Sequence, residues 1–478
     1  MKRKLLSVLM ALCLILTLLP TAVFAEELTP PEESGEQQEE QIKEPSTPEK
    51  EPDDPEKEQE GEEDLQPSDG DPELPAGDGE DERDPQTPED GVQDPTGEEI
   101  PENGSTSVPN EVPLQEIILL EESAVTMEQN GGTTEYDSVS AAIDATQAYN
   151  KDTNKGLYTI TLNENLAEDV VIPEGRYIKI DLNGHTLTNK ESHTIFNNST
   201  RITIVDTSAE KTGVVDNISH GRGAVYNNIN AAITLQGGTY TRSQEASTGS
   251  DASGSNSWYV LKNFGTMTIK DGVTVKFSDS NSGLYSSLIG NGWQNSSAAE
   301  AGSNGEPKPN AGGKQAKLTI NGGTFTGGQI TVKNDDYGEL TITGGNFTQP
   351  GENRYAVYNA NTATISGGTF TAESTVVGSD YFAGGANTGK LTISKGTFTS
   401  ESSGTAISMG AGADLTLTGG TFQTQGDGSS YVISLAETAT AEISGGSFPG
   451  AEAARVVNSS DAFRDGYGVV ENPDGSLS

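Results

Sequence analysis

The sequence predicts an all-β chain wound as a parallel β-helix, and three observations predict it. A nine-residue phrase, LTINGGTFT at 318–326, returns as LTITGGNFT (340–348), ATISGGTFT (363–371), LTISKGTFT (391–399), LTLTGGTFQ (415–423) and AEISGGSFP (441–449), with an earlier copy, ITLQGGTYT, at 233–241. Starts of the later copies lie 22, 23, 28, 24 and 26 residues apart, the period of a stacked array rather than of separate domains. Upstream of the phrase an aliphatic–x–Asn triplet also recurs, ending in Asn197, Asn227, Asn263, Asn291, Asn334 and Asn359.

Each part of the phrase has a local reason. In Leu318-Thr319-Ile320 the apolar residues alternate with Thr, the pattern of a strand with one face buried. The Gly-Gly that follows marks a corner, because glycine takes positive φ without steric cost. Thr324-Phe325-Thr326 then directs Phe inward and both hydroxyls outward. The triplet reads as a third short strand whose Asn turns the chain and stacks on its copies as an amide ladder, replaced by Met409 and Leu435 in the last coils. No single coil buries its own apolar face, so stacking must do it. The expected interior columns are Tyr240, Phe325, Phe347, Phe370, Phe398, Phe422 and Phe448 beside Ile320, Ile342, Ile365, Ile393, Leu417 and Ile443. Roughly ten or eleven rungs at about 4.8 Å each give a rod about 50 Å long.

From the N-terminus, Met1–Ala25 carries Lys2-Arg3-Lys4, an apolar core and a small-residue cleavage site, the form of a secretory signal peptide. If it is not cleaved, the same stretch is a membrane anchor. Its Cys13 is the only cysteine of the chain, so the mature protein is exported without disulfides. Residues 26–113 hold 33 acidic against 4 basic residues and 15 of the 22 prolines, an acidic linker that buries too little to fold. Loose Ca²⁺ binding by these carboxylates is the only cofactor the composition suggests. Residues 114–478 retain 39 acidic against 21 basic residues, which excludes nucleic acid and anionic membranes as partners.

Residues 114–156 read as a lead-in hairpin turning at Asn130-Gly131-Gly132, then an amphipathic helix N-capped by Asp137 or Ser138 that covers the open end of the rod. The β-helix is expected over 157–450. Residues 451–478 leave the repeat and end in a hairpin around Asn472-Pro473-Asp474-Gly475. The Ser/Gly-rich insertions 244–257 and 283–314 are expected to leave the rod as corner loops.

The run AAIDA (141–145), then VVIPEGRYIKIDLNGHTL (170–187), then the LTIxGGTF copies resembles right-handed parallel β-helix repeat proteins of the pectin-lyase-like superfamily, in particular adhesin-like bacterial surface proteins. The resemblance covers residue 133 to the C-terminus and implies a right-handed coil and a secreted or cell-surface location. Its polysaccharide-cleaving members use carboxylates, often holding Ca²⁺, with an Arg or Lys base. Neither an Arg-x-Pro-x-x-Arg run nor Gly-His-Gly occurs here, though Gly184-His185-Thr186 and Ser219-His220-Gly221 come near the latter. Asp335, Asp336, Lys333 and Arg354 are the set a catalytic site would use. The Asp pair follows a ladder Asn, where Asp is an ordinary turn residue. Trp258, Tyr259, Tyr285 and Trp293 surround the insertions and are the candidates for stacking on sugar rings. The outward Thr-x-Thr pairs match rows seen on ice-binding β-helices, but Asn346, Gln423 and Pro449 interrupt them.

The expectation is therefore a monomeric, non-enzymatic binding or structural module that meets extracellular or cell-wall glycans or a host surface, without metal. The alternative is a lyase or glycoside hydrolase acting on uronic-acid polymers.

Overall fold

The computed structural model describes residues 123–151, 156–219, 221–243, 259–277, 287–293, 315–352, 354–380, 388–402, 404–425, 430–474 and 476–478. The leader, the acidic linker, the insertion 244–257 and most of 283–314 lie outside the described residues.

The repeated phrases stack in parallel, in register, as three ladders. Thr203, Thr234, Thr268, Thr319, Thr341, Thr364, Thr392 and Thr416 are aligned one above the next on the outside of the first ladder. Behind them runs an unbroken buried column from Ile160 through Ile180, Ile204, Leu235, Ile269 and Ile320 to Ile443. The second ladder begins beyond the glycine corner. Its buried column runs Leu187, Val215, Tyr240, Val275 and then Phe325 to Phe422. The third is a separate ten-stranded parallel sheet built from the aliphatic–x–Asn triplets. Three parallel ladders around one apolar interior are the arrangement of a β-solenoid.

The glycine corner is more specific than the sequence suggested. Only the second glycine of each pair has positive φ, as at Gly323 (φ 102) and Gly368 (φ 104). This explains how Lys395 replaces the first glycine while Gly396 stays. In the later copies the corner does not interrupt the strand, so Thr362–Ala372, Lys390–Ser400 and Asp414–Thr424 each run through it.

Two side-chain columns hold successive coils together. The phenylalanine rings stack at 4.7, 4.5, 4.8, 4.9 and 5.7 Å from Phe325 to Phe448. The asparagine amides form a continuous chain, with each Nδ2 donating to the next Oδ1 at 2.8, 2.8, 2.7, 2.8 and 2.8 Å from Asn197 to Asn359. Asn359 ends the chain by donating to Ser379 Oγ at 3.0 Å. All six asparagines are fully buried, so the chain satisfies polar groups that water cannot reach.

At the N-terminal side, Val125–Gln129 pairs antiparallel with Gly132–Tyr136 and with Leu157–Leu162. Asn130 (φ 52) and Gly131 (φ 79) supply the positive φ pair that a two-residue hairpin turn needs. The helix Val139–Ala145 starts at Ser138, whose side chain accepts from Ala141 N at 3.0 Å. It buries Val139, Ala142 and Ile143, and Glu168 accepts from Val139 N and Ser140 N. At the C-terminal side, two 3₁₀ turns lead to a short antiparallel contact between Glu471 and Leu477.

Candidate functional site

The outer face of the ten-stranded sheet differs chemically from the threonine-clad faces. Each triplet aims its first and third residues inward and its middle residue outward. Read in register, the outward row is Phe196, Tyr226, Lys262, Gly290, Lys333, Tyr358 and Gly378. The two glycines are slots. A Cβ on Gly290 would lie 2.6 Å from Tyr259 Cε1, and one on Gly378 would lie 2.6 Å from Tyr355 Cε1. Each missing side chain therefore lets a tyrosine from two residues before the neighbouring coil's triplet lie on the sheet. Tyr259, Lys333, Tyr358 and Tyr355 form a partly exposed floor spanning about three strand steps, roughly 14 Å.

One end of this floor is an ion cluster drawn from the two coils on either side of Gly290. Lys333 Nζ lies 2.9 Å from Asp335 Oδ1 and donates to the Tyr259 hydroxyl at 3.4 Å. Lys262 Nζ lies 3.6 Å from Asp335 Oδ2, and sits 4.3 Å from the Tyr259 ring centre and 4.8 Å from that of Phe264. Both side chains of the Lys262–Asp335 pair are almost wholly buried, at 3% and 2% exposure. Burial alone would lower the Lys333 ammonium. The charge of Asp335, aided by Tyr259, outweighs burial and holds it above the usual lysine range. Burial, reinforced by Asp380, pushes up the hydroxyls of Tyr355 and Tyr358.

Several sequence expectations are corrected here. Asp335 and Asp336 do lie at a turn, which Asp335 O closes by accepting from Gly338 N, but both are buried, at 1% and 0% exposure, which the sequence did not show. Lys333 joins Asp335 as the sequence proximity suggested. Arg354 does not, because it precedes the strand Tyr355–Asn359 at the end remote from the Asn corner and donates to Gly328 O at 3.3 Å. Trp293 is not available for stacking on a ligand. It is 5% exposed, sandwiched between Phe264 and Tyr337 at centroid distances of 5.7 and 5.5 Å. Trp258, Tyr285 and His220 lie outside the described residues. His185 lies in the tight turn set by Asn183 and Gly184, donating its N–H to Leu182 O.

Sequence reasoning missed Lys262, Tyr355 and Tyr358 as members of one surface. The available signal was the outward middle residue of each triplet, which the register aligns. It also missed His193, a buried imidazole whose Nδ1 accepts from Gly223 N and whose pKa burial lowers to about 3.

Among the described residues, no three His, Cys, Asp or Glu side chains come together as a metal site, and no helix is long and apolar enough to cross a membrane. No protein-family model, curated protein or solved structure matches the chain.

Proposed function

We propose that the chain is a secreted or cell-surface, adhesin-like binding module that holds extended glycans along the outer face of its ten-stranded sheet. The observation that carries this reading is the tyrosine floor, in which Tyr259 and Tyr355 occupy glycine slots beside Tyr358 and Lys333. Aromatic rings at two places along the axis, Tyr259 at one end and Tyr355 with Tyr358 at the other, with Lys333 between them, suit a sugar chain laid along the sheet. The reading includes the resemblance to pectin-lyase-like proteins, a right-handed coil of ten or eleven rungs, and the helix Val139–Ala145 as a lid on the first coil.

A lyase remains the rival, because Lys333, Asp335 and Tyr259 converge as such chemistry would need. Charge argues against it. Lys333 is held protonated by Asp335 and so lacks the free amine that proton abstraction requires.

A glycan array followed by titration of the best neutral oligosaccharide tests the proposal. Tyr358→Ala or Tyr355→Ala should weaken binding about tenfold, the equivalent of one stacking contact. Wild-type affinity in both variants would remove the floor from the binding surface. Release of unsaturated ends from pectin, abolished by Asp335→Ala, would replace binding by catalysis.

A further inference from the structure

The first coils carry a second feature that the tyrosine floor does not use. On the outer face of the first ladder, a hollow of about 470 Å³ is lined by Glu128, Leu157, Tyr177, Lys179 and Arg201 among others. Two rows of outward residues form it. One runs Glu128, Thr159, Lys179 and Thr203, and the other runs Leu157, Tyr177 and Arg201. Leu157 is 40% exposed, so the hollow has an apolar floor at one end.

Its cationic end is built on two tyrosine rings. The Tyr177 ring stacks on Tyr149 at 4.0 Å, and the Arg201 guanidinium lies over the Tyr177 ring at 5.2 Å. The ring contact places the exposed guanidinium beside the hollow, and a guanidinium fork suits a carboxylate held by two parallel hydrogen bonds. Lys179 stands on the adjacent strand, two residues along, about 7–8 Å away diagonally and within reach of the same anion. Among the described residues, neither Arg201 nor Lys179 has a carboxylate within ion-pair distance.

Two cations without an ion-pair partner among the described residues share this hollow with the single carboxylate of Glu128, two strands from Lys179, in a folded region with 39 acidic and 21 basic residues. The overall field repels polyanions, while the local pair attracts a single negative group. We propose that this hollow is a binding site for a small polar ligand bearing one carboxylate, such as an acidic sugar residue or the C-terminus of a short peptide. Arg201 and Lys179 grip the carboxylate, and Thr159, Thr203 and Leu157 face the ligand body. This site is independent of the tyrosine floor.

The test is a titration of the full chain at low ionic strength, with D-glucuronate, D-glucose and N-acetyl-dialanine as separate probes, followed by calorimetry or by NMR. Glucuronate or the dipeptide should bind about tenfold or more tighter than glucose, and Arg201→Gln should erase that preference. Which acid binds better identifies the source of the carboxylate. Arg201→Lys should also lose most of it, since lysine keeps the charge but not the stacked fork. Equal binding of glucose and both acids, or unchanged binding in Arg201→Gln with the fold intact by circular dichroism, would overturn the assignment.

Discussion

Asp335→Ala should destabilise the folded region by about 3–5 kcal/mol, the usual cost of removing one partner from a buried ion pair. The size follows from what is left behind. Lys262 is 3% exposed on its side chain and Lys333 14%, and both direct their ammonium groups at the same carboxylate. Without it, two cations share a confined space against Tyr259 and Phe264, with cation–π contacts as partial relief. Replacing all three residues by apolar ones of similar volume should restore much of the loss, because desolvation and attraction disappear together.

The pH dependence has a definite sign. Lys333 is raised above its unfolded value of about 10.4, so its contribution is fully present below that pH and is lost only as pH rises through the higher folded value. The wild-type contribution of the pair should therefore be the same at about pH 6 and pH 9 and fall only in stronger alkali, whereas in Asp335→Ala burial acts on Lys333 without that carboxylate and the penalty should shrink as the pH rises. Chemical denaturation at several pH values measures it. A penalty under about 1 kcal/mol would mean that the cluster is solvated after all.

Asn291→Ala is the second large effect, about 3–5 kcal/mol. Asn291 Oδ1 accepts from Asn263 at 2.7 Å, and its Nδ2 donates to Asn334 Oδ1 at 2.8 Å and to Glu339 O at 3.0 Å. Truncation orphans groups on both neighbouring coils, in a site with no exposure, at about 1–3 kcal/mol for each. Thr319→Ala, on the outward face of the first ladder, should stay within about 0.5 kcal/mol. Denaturation followed by the fluorescence of Trp293, two residues along the chain, compares the two variants. Equal losses would show that the amide chain contributes no more than a surface hydroxyl.

The difference between what could be read from the chain and what could not has a physical origin. The Asn ladder was legible because the same residue recurs at the same place in each coil, and identical side chains in parallel register must meet. The Phe column was legible for the same reason, up to Tyr240. Val275 was missed as the member between Tyr240 and Phe325, because its copy, TMTIKDGVTV, has one extra residue at the corner. The ion cluster was hidden for a different reason. Tyr259, Lys262, Lys333 and Asp335 come from coils separated by long insertions, and their meeting depends on residue 290 being glycine. Whether a side chain beside a corner is exposed is decided by the bulk on the next coil. That is why Asp335 and Trp293, read as a turn residue and a stacking candidate, are both buried. The tyrosine floor emerges only when the register is known, since Tyr355 reaches over Gly378 one coil away.

Everything above depends on copies stacking in parallel, one strand step at a time. Paired spin labels on a Cys13→Ser chain test this directly, with one label on Thr234 and the other on Thr364 or Thr416, all three in one aligned row. Four and six strand steps give distances of about 19 and 29 Å, a rise of about 10 Å between the two pairs. Distances that fail to lengthen from Thr364 to Thr416 would contradict the stacked solenoid and the surfaces built on it.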